Sequence, residues 1–560
     1  MTPAGATAPR AGERGPSRRA AVATGLVLWF LYAGTASARL QPWDAAEFAT
    51  AFAVFGVPHP PGTPLVVVIG RAVFAIGTPW LAGPLAAALA SATCAACAGA
   101  LLAWLLARRG TAPGLATAIA CLAGTAGTWW TAATEPEAYA PAMALAVGML
   151  AAGNEAARAD AEGDRARAWR WRVLVAYALA LAPAVHQLAW VAAPAALFLG
   201  WPQATCARVD LPWRRMVLAG LAGASAWGIL LVRGGAGAPV LMGDPTSLSG
   251  LRAIATRAMY ESPGWWPRQA ALGWQVAMPL EYLHEQFTTG LVASVGWVPG
   301  LVSALVVAPL LVLGVRWWWR RDRALTIAWL LLFGAGTLGV AWHLNLKLGP
   351  SLGWGVVPHE APREVRERDT FFLPGLLAFA IGVGGGLATL VRGRGDLALA
   401  LAAAWGLLVR PGHDRERLPA TTAFHDGLEA VLAEAPPRGV VLAATDWDAF
   451  GLWYAQVAEG RRRDLVPVVL GLLPDASYRG RLDAGAPGLA PPSGAGRAAA
   501  LRHVIAWARR TGRPVVAGPW SVATVRRGLG ADSAIVGRVE RTASSPPGHG
   551  RDGDAATSPW

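Results

Sequence analysis

Lysine is all but missing from this chain: Lys347 stands alone among 49 basic residues. Charge of any kind is scarce, at 15% of 560 residues against 54% hydrophobic, with a mean hydropathy of +0.38. Soluble domains carry about a quarter of their residues charged, so the composition excludes an ordinary water-soluble protein. Cysteine is sparse too, and the four present do not make a disulfide framework. Cys94 and Cys97 form a C-x-x-C inside an apolar run, where small residues serve helix packing. A single basic patch is also lacking. The net charge of +14 is carried by short arginine clusters between apolar runs, which is the pattern of cytoplasmic loops and argues against nucleic-acid binding. The use of Arg in place of Lys, with so much Ala, Gly and Pro, fits a GC-rich genome. No segment reads as a cleavable signal peptide, and the apolar run after Arg18 and Arg19 is expected to be a retained first helix.

What the chain has in abundance is apolar segments of spanning length, about 20 residues each. The candidates are 20–38, 82–106, 112–131, 137–155, 173–185, 187–200, 216–233, 291–314, 324–343, 371–391 and 396–410. Arg18/Arg19, Arg108/Arg109, the run Arg165 to Arg172, Arg214/Arg215, Arg316 to Arg323 and Arg392/Arg394 are all expected inside. Two consequences follow. The stretch Thr63 to Trp80 cannot be a span without placing Arg108 outside, so it is read as an amphipathic helix on the outer surface, with Arg71 facing water or a donor phosphate. Residues 173–200 have arginine at both ends, so they are read as a hairpin of two short helices with Pro183 and His186 at the tip. From about 418 the pattern changes to strand-like runs at Gly439–Thr445, Leu465–Leu473, Pro514–Ala517 and Ala534–Val539. Helical segments fall between them at 421–434, 448–459 and 497–511, which suggests a small α/β domain. The expected architecture is therefore mainly α. A polytopic transmembrane bundle of about eleven spans occupies 20–410 and an extracytoplasmic α/β domain 418–540. The polar tails 1–19 and 541–560 are expected to be disordered, the first of them cytoplasmic.

Charged side chains at the membrane surface are costly unless they serve something. The first external loop holds Asp44 and Glu47, three apart and on one helical face, followed by His59 in Val57-Pro58-His59-Pro60-Pro61-Gly62. Two carboxylates beside a histidine can do general-base work on an acceptor hydroxyl, or one of them can simply cap the helix that follows. Glu135, Glu137 and Tyr139 form a second external turn, which is either part of a site or an exposed acidic turn. His186 is a site residue or a satisfied core histidine. Asp244, in Gly243-Asp244-Pro245, is a turn residue on its face value. Arg366, Arg368 and Asp369 precede an apolar run, where a basic residue can hold a lipid phosphate or anchor the helix end. No His/Asp/Glu cluster has metal-ligand spacing, so no cofactor is expected, with a divalent metal left open.

These segments, in this order, resemble the bacterial protein O-mannosyltransferase-like membrane family, whose members are similar to the GT-C glycosyltransferases. That family usually reads D-S-G-E-F and then G-V-A-H-P-P-G-Y-P-L. Here the corresponding residues are Asp44-Ala45-Ala46-Glu47-Phe48 and Gly56-Val57-Pro58-His59-Pro60-Pro61-Gly62-Thr63-Pro64-Leu65. Further matches are Glu135-x-Glu137-x-Tyr139, His186, Gly243-Asp244-Pro245, Arg366-Glu367-Arg368-Asp369, and Asp446 with Tyr454 to Gly460 in the external domain. The resemblance implies a multi-pass protein of the cell membrane that moves a sugar, mannose being one candidate, from a polyprenyl-phosphate donor to an extracytoplasmic protein or glycan hydroxyl. It implies Asp44 as base with Glu47 in support. His59, Arg71, Glu135, Glu137, Tyr139, His186, Asp244 and Arg368 fall on the substrate side. The partners are then that donor, the acceptor and membrane lipids. Ala45-Ala46 and Thr63 depart from the pattern, as do Leu241-Met242 before Gly243. Two other readings compete. A flippase for lipid-linked sugars suits broken helices but normally shows an internal repeat, which is lacking here. A non-catalytic scaffold for the C-terminal domain leaves Asp44, Glu47, His59 and Glu137 scattered.

Overall fold

The computed structural model describes residues 14–201, 211–260, 264–287, 303–350, 352, 361–364, 366–529 and 536–539. The tail 541–560, most of the tail 1–19 and the first part of the expected span 291–314 lie outside the described residues. The chain is mainly α-helical, as Ala- and Leu-rich runs favour, and it is a multi-pass membrane protein. Helix α1 (Arg14–Ala33) begins earlier than expected. Its first turn contains Pro16, where the missing N–H has no intrahelical partner to lose, so the arginines at 18 and 19 belong to the helix and not to a tail.

In chain order follow α2 (Asp44–Val54), α3 (Pro64–Gly77), α4 (Gly83–Arg108), α5 (Pro113–Gly124), α6 (Gly127–Thr134), α7 (Tyr139–Ala161) and α8 (Arg165–Val185). The segment expected as one span over 112–131 is thus two helices, broken at Thr125 and Ala126. Helix α3 has 14 residues, hence about 21 Å of length, against about 30 Å of hydrocarbon. It is too short to cross and packs beside α2 and α4. Described runs long and apolar enough to cross are Gly83–Arg108, Trp213–Gly235, Arg323–Leu344 and Asp369–Leu390. Small residues bring their backbones together. A Cβ added to Gly314 would meet the Gly382 carbonyl, and one on Gly153 the Ala196 carbonyl, so glycine is what allows these helices to touch.

The arginine clusters gather at one end. Arg108 forms a bidentate pair with Glu155 at 2.9 and 2.8 Å, Arg109 reaches Asp322 at 2.6 Å, and Arg158 donates to the Arg108 carbonyl at 2.7 Å. The reading of 173–200 as a hairpin agrees with the geometry: α8 ends at Val185, His186 is extended, and the chain returns through Ala193–Gly200. Arg172 Nε then donates to the Gly200 carbonyl at 3.2 Å, which puts both ends of the hairpin on one side.

The C-terminal part is a parallel sheet in the order β2-β1-β3-β4, with β1 Val440–Ala443, β2 Val466–Val469, β3 Val515–Ala517 and β4 Gly537–Arg538. Strand β1 is buried throughout, as a central parallel strand covered on both faces must be. Helices Pro419–Glu434, Asp446–Trp453 and Arg497–Arg510 flank it near their expected places. Helix Ala476–Gly485 lies partly in what reads as a Gly/Pro-rich loop; its polar, glycine-bearing sequence hides it, and Asp475 caps it by accepting from the Tyr478 N–H at 2.7 Å. The linker Arg410 to Arg417 lies against the first loop. Arg415 N–H donates to the Thr35 carbonyl at 2.9 Å, Glu416 accepts from the Ser37 hydroxyl at 2.6 Å, and His413 stacks on Trp130 at 4.6 Å.

Candidate active site

The site is built at the start of α2. Trp43 takes a left-handed turn (φ 60°), and the alanine-rich Asp44–Val54 winds from it with both carboxylates in the first turn, where the helix dipole favours negative charge. Glu47 is fully buried. Both of its oxygens are used: Oε1 accepts the His59 backbone N–H at 2.6 Å, and Oε2 lies 2.6 Å from His59 Nδ1. The loop between is zipped to the segment before Gly243. Val57 N–H donates to the Val240 carbonyl at 2.8 Å and receives at its own carbonyl the Met242 N–H at 3.0 Å. Gly62 closes the turn at φ +75°, a region glycine enters without strain. Asp44 Oδ2 meets Arg366 at 2.5 Å, and the same guanidinium lies over the Trp43 ring at 5.2 Å.

These contacts sort the protons. Burial alone would raise Asp44, but Arg366 and then His59 bring it down to about 2, so it stays a carboxylate. Burial alone would lower His59, but Glu47 more than offsets this and lifts it to about 9, so the ring is an imidazolium at neutral pH. Glu137 is buried and faces Asp44; burial first and that negative charge second push it well above the carboxylate range, which favours its neutral form. His186 is driven down to about 3 by burial and by the cations Arg257 and His59. Its Nδ1 accepts the Leu188 N–H at 3.1 Å, and its ring packs on Tyr139 at 5.3 Å.

Asp44, Glu47, His59, Glu137, Tyr139 and His186 are therefore neighbours, although they come from separate stretches of chain. Glu135 is beside them but engaged, paired with Arg415 at 3.1 Å. Three residues stand elsewhere. Arg71, expected towards water or donor phosphate, donates to the Phe52 and Ala53 carbonyls and caps the end of α2. A cation there is drawn to the negative end of the helix dipole. Asp244 is exposed and shapes its own turn, accepting from Thr246 N–H at 3.1 Å. Arg368 pairs with Glu364 at 3.0 Å, and Arg366 takes the place by Asp44. Residues two apart in an extended segment share a face, so spacing does not say which of these arginines pairs with Asp44; Arg366 does, and Arg368 acts on it only through its charge. Arg257 was not legible at all. It follows helix Leu248–Ala255 in a left-handed turn (φ 56°), lies over Tyr260 at 5.1 Å and acts electrostatically on both His59 and His186.

One oxygen each of Asp44 and Glu47 and a ring nitrogen of His59 lie within 4.8 Å of one another, a spacing that could hold a cation. The two carboxylates are already balanced by Arg366 and the His59 imidazolium, so charge neutrality does not call for a metal.

Residues 44–203 match the family model described as the protein O-mannosyl-transferase TMEM260 N-terminal domain. The match covers less than a third of the chain. It opens on Asp44 and takes in Glu47, His59, Glu137, Tyr139 and His186, while Arg257 and Arg366 lie beyond it. Among solved structures, ArnT from Cupriavidus metallidurans bound to undecaprenyl phosphate is 14% identical over 80% of this chain and 88% of its own, with a TM-score of 0.48. The apo oligosaccharyltransferase of Archaeoglobus fulgidus is 12% identical over 93% and 71%, with a TM-score of 0.47. The apo state of the same ArnT gives 14%, 92% and 88%, with 0.41. No curated protein matches.

Proposed function

We propose that this chain is a glycosyltransferase of the cell membrane that moves a sugar from a polyprenyl-phosphate donor to an extracytoplasmic hydroxyl, with Asp44 as general base. The observation that carries the reading is the Asp44–Arg366 pair beside the Glu47–His59 pair: an ionised acceptor of protons adjoining two cations. In the step, the acceptor hydroxyl gives its proton to Asp44 as its oxygen bonds to the sugar C1. The bond from C1 to the phosphate oxygen breaks, and polyprenyl phosphate leaves with that electron pair. The charge it gains is met by the His59 imidazolium, which Glu47 orients, and by Arg366. Arg366 drawn towards phosphate relaxes its hold on Asp44, which becomes a stronger base when the donor is in place. Arg257 adds a third cation on the same side. Glu137, in its neutral form, spares Asp44 a second negative neighbour.

The matched family's description supplies mannose as the sugar to try first. The arginine-rich end is cytoplasmic by the positive-inside rule, which places the site and the α/β domain outside. The test is transfer of radiolabel from a panel of polyprenyl-phosphate sugars in membranes carrying the wild type or Asp44→Asn. The variant is nearly isosteric and should lose transfer while melting within a few degrees of the wild type. Near-normal transfer would remove Asp44 as the base.

A further inference from the structure

We propose that Asp446, carried by the α/β domain, is an acceptor-binding residue of the transfer site, so that the site is complete only with that domain docked. The proposal rests on the transferase reading above and adds to it the side from which the acceptor is held. It starts from the sheet. Strand β1 ends at Ala443, and the chain leaves its C-terminal end next to β3, where a parallel sheet presents loops for binding. The next helix, Asp446–Trp453, packs directly on α2. The register of that contact is set by two tryptophans: Trp43, which precedes Asp44, meets Trp447, which follows Asp446, edge to face at 5.8 Å. Trp43 also carries Arg366 on its ring. The two aspartates are thus tied to one aromatic junction from opposite sides.

The docking is held elsewhere as well. Arg481 donates to the Leu241 carbonyl and to the Gly243 carbonyl (3.4 Å), and the Tyr454 hydroxyl lies against Gly83 at the start of α4. Asp446 itself contributes nothing to that hold. Among the described residues its carboxylate has no hydrogen bond or ion pair, and Thr445 supplies the helix cap by accepting from the Asp448 N–H. Its side chain is exposed, unlike the buried Asp448 two residues on. A carboxylate left unpaired at a crowded junction is free for a ligand. Asp446 and Asp44 are close enough to act on each other electrostatically, and Asp446 acts on Tyr260 as well. The ligand it suits is the hydroxylated, water-borne acceptor. The donor's lipid chain comes from the bilayer, on the side of His59 and Arg366. Asp446 comes from the water-soluble domain and accepts a hydrogen bond from a second hydroxyl or an amide of the acceptor, turning the reacting hydroxyl towards Asp44.

The experiment uses the full chain in liposomes with a radiolabelled polyprenyl-phosphate mannose and a synthetic Ser/Thr-rich peptide as acceptor. It measures transfer to the peptide and slow release of free sugar, in which water takes the acceptor's place. Asp446→Asn and Asp446→Ala should raise the KM for peptide at least about tenfold, the loss of one charge-assisted hydrogen bond, with the donor KM and sugar release within twofold of the wild type. An unchanged peptide KM overturns the proposal. So does an equal loss of transfer and sugar release, which would mean that the residue serves the donor or the fold. Absence of both activities from the wild type across the sugar panel would instead defeat the transferase reading, and Asp446 would fall with it.

Discussion

Replacing Glu47 with glutamine keeps the shape of the side chain and removes its charge, and the consequences for His59 can be worked out. The ring is lifted from an ordinary 6.5 to about 9 because the Glu47 carboxylate outweighs the burial that would otherwise lower it. At about 1.4 kcal/mol for each tenfold, that lift is worth roughly 3 kcal/mol of folded-state stability. The His59 side chain is 24% exposed and that of Glu47 is not exposed at all, so solvent screens the pair little. The sign follows from the folded value lying above the unfolded one. The contribution is fully present below pH 6.5 and is lost as the pH rises through 9. Glu47→Gln never has it. The stability gap between wild type and variant should therefore be widest, near 3 kcal/mol, at pH 6, and should narrow steadily towards pH 10. Thermal unfolding in detergent, followed by the fluorescence of the 28 tryptophans, reads the gap. Other groups that titrate over this range cancel between the two proteins. A gap that stays constant from pH 6 to pH 10 would refute the ion pair as the source of the lift.

Three further perturbations separate parts of the site. Arg366→Gln removes the cation that holds Asp44 at about 2, so the low-pH limb of transfer should move up towards neutrality; a limb that stays in place in a pH–rate profile would show that Asp44 does not depend on Arg366. The same linkage in the folded protein gives Asp44 a contribution present above pH 3.8 and lost as the pH falls through about 2. Arg71→Ala should lower stability by about 1–2 kcal/mol, through the uncapped end of α2, and leave both KM values unchanged, which steady-state kinetics would check. Alkaline phosphatase fused after Thr445 should be active, since the proposed topology puts the sheet domain outside; activity of a cytoplasmic reporter at that point instead would invert that topology.

The features legible in the sequence are those governed by periodicity and by the cost of charge near lipid. The arginines of α4, α7 and α8 meet at one end because any other arrangement would leave some of them across the bilayer. The same argument kept α3 out of the spans and folded 173–200 back on itself, and Asp44 and Glu47 share a face through helical spacing. What could not be read depends on choices between equivalent partners. Nothing in Arg366-Glu367-Arg368 says which arginine turns inward, and nothing at Arg71 says that its nearest negative charge is a helix end rather than a phosphate. Glu47 reads as a carboxylate supporting Asp44, yet both of its oxygens are spent on one histidine twelve residues away. Asp446 lies some 400 residues from Asp44, a distance that only tertiary docking closes.

The linker Arg410 to Arg417 bears on how the two halves of the site find each other. Because it is short and itself fastened to Thr35, Ser37 and Trp130, a sheet domain that lets go of α2 remains tethered within reach of it. Re-engagement is then intramolecular, at an effective concentration on the order of millimolar. The Trp43–Trp447 contact can be weak in isolation and still be nearly always made. A nick in the linker would turn the same contact into a bimolecular encounter, and sheet domain supplied separately would have to approach that concentration before Asp446 again stood opposite Asp44.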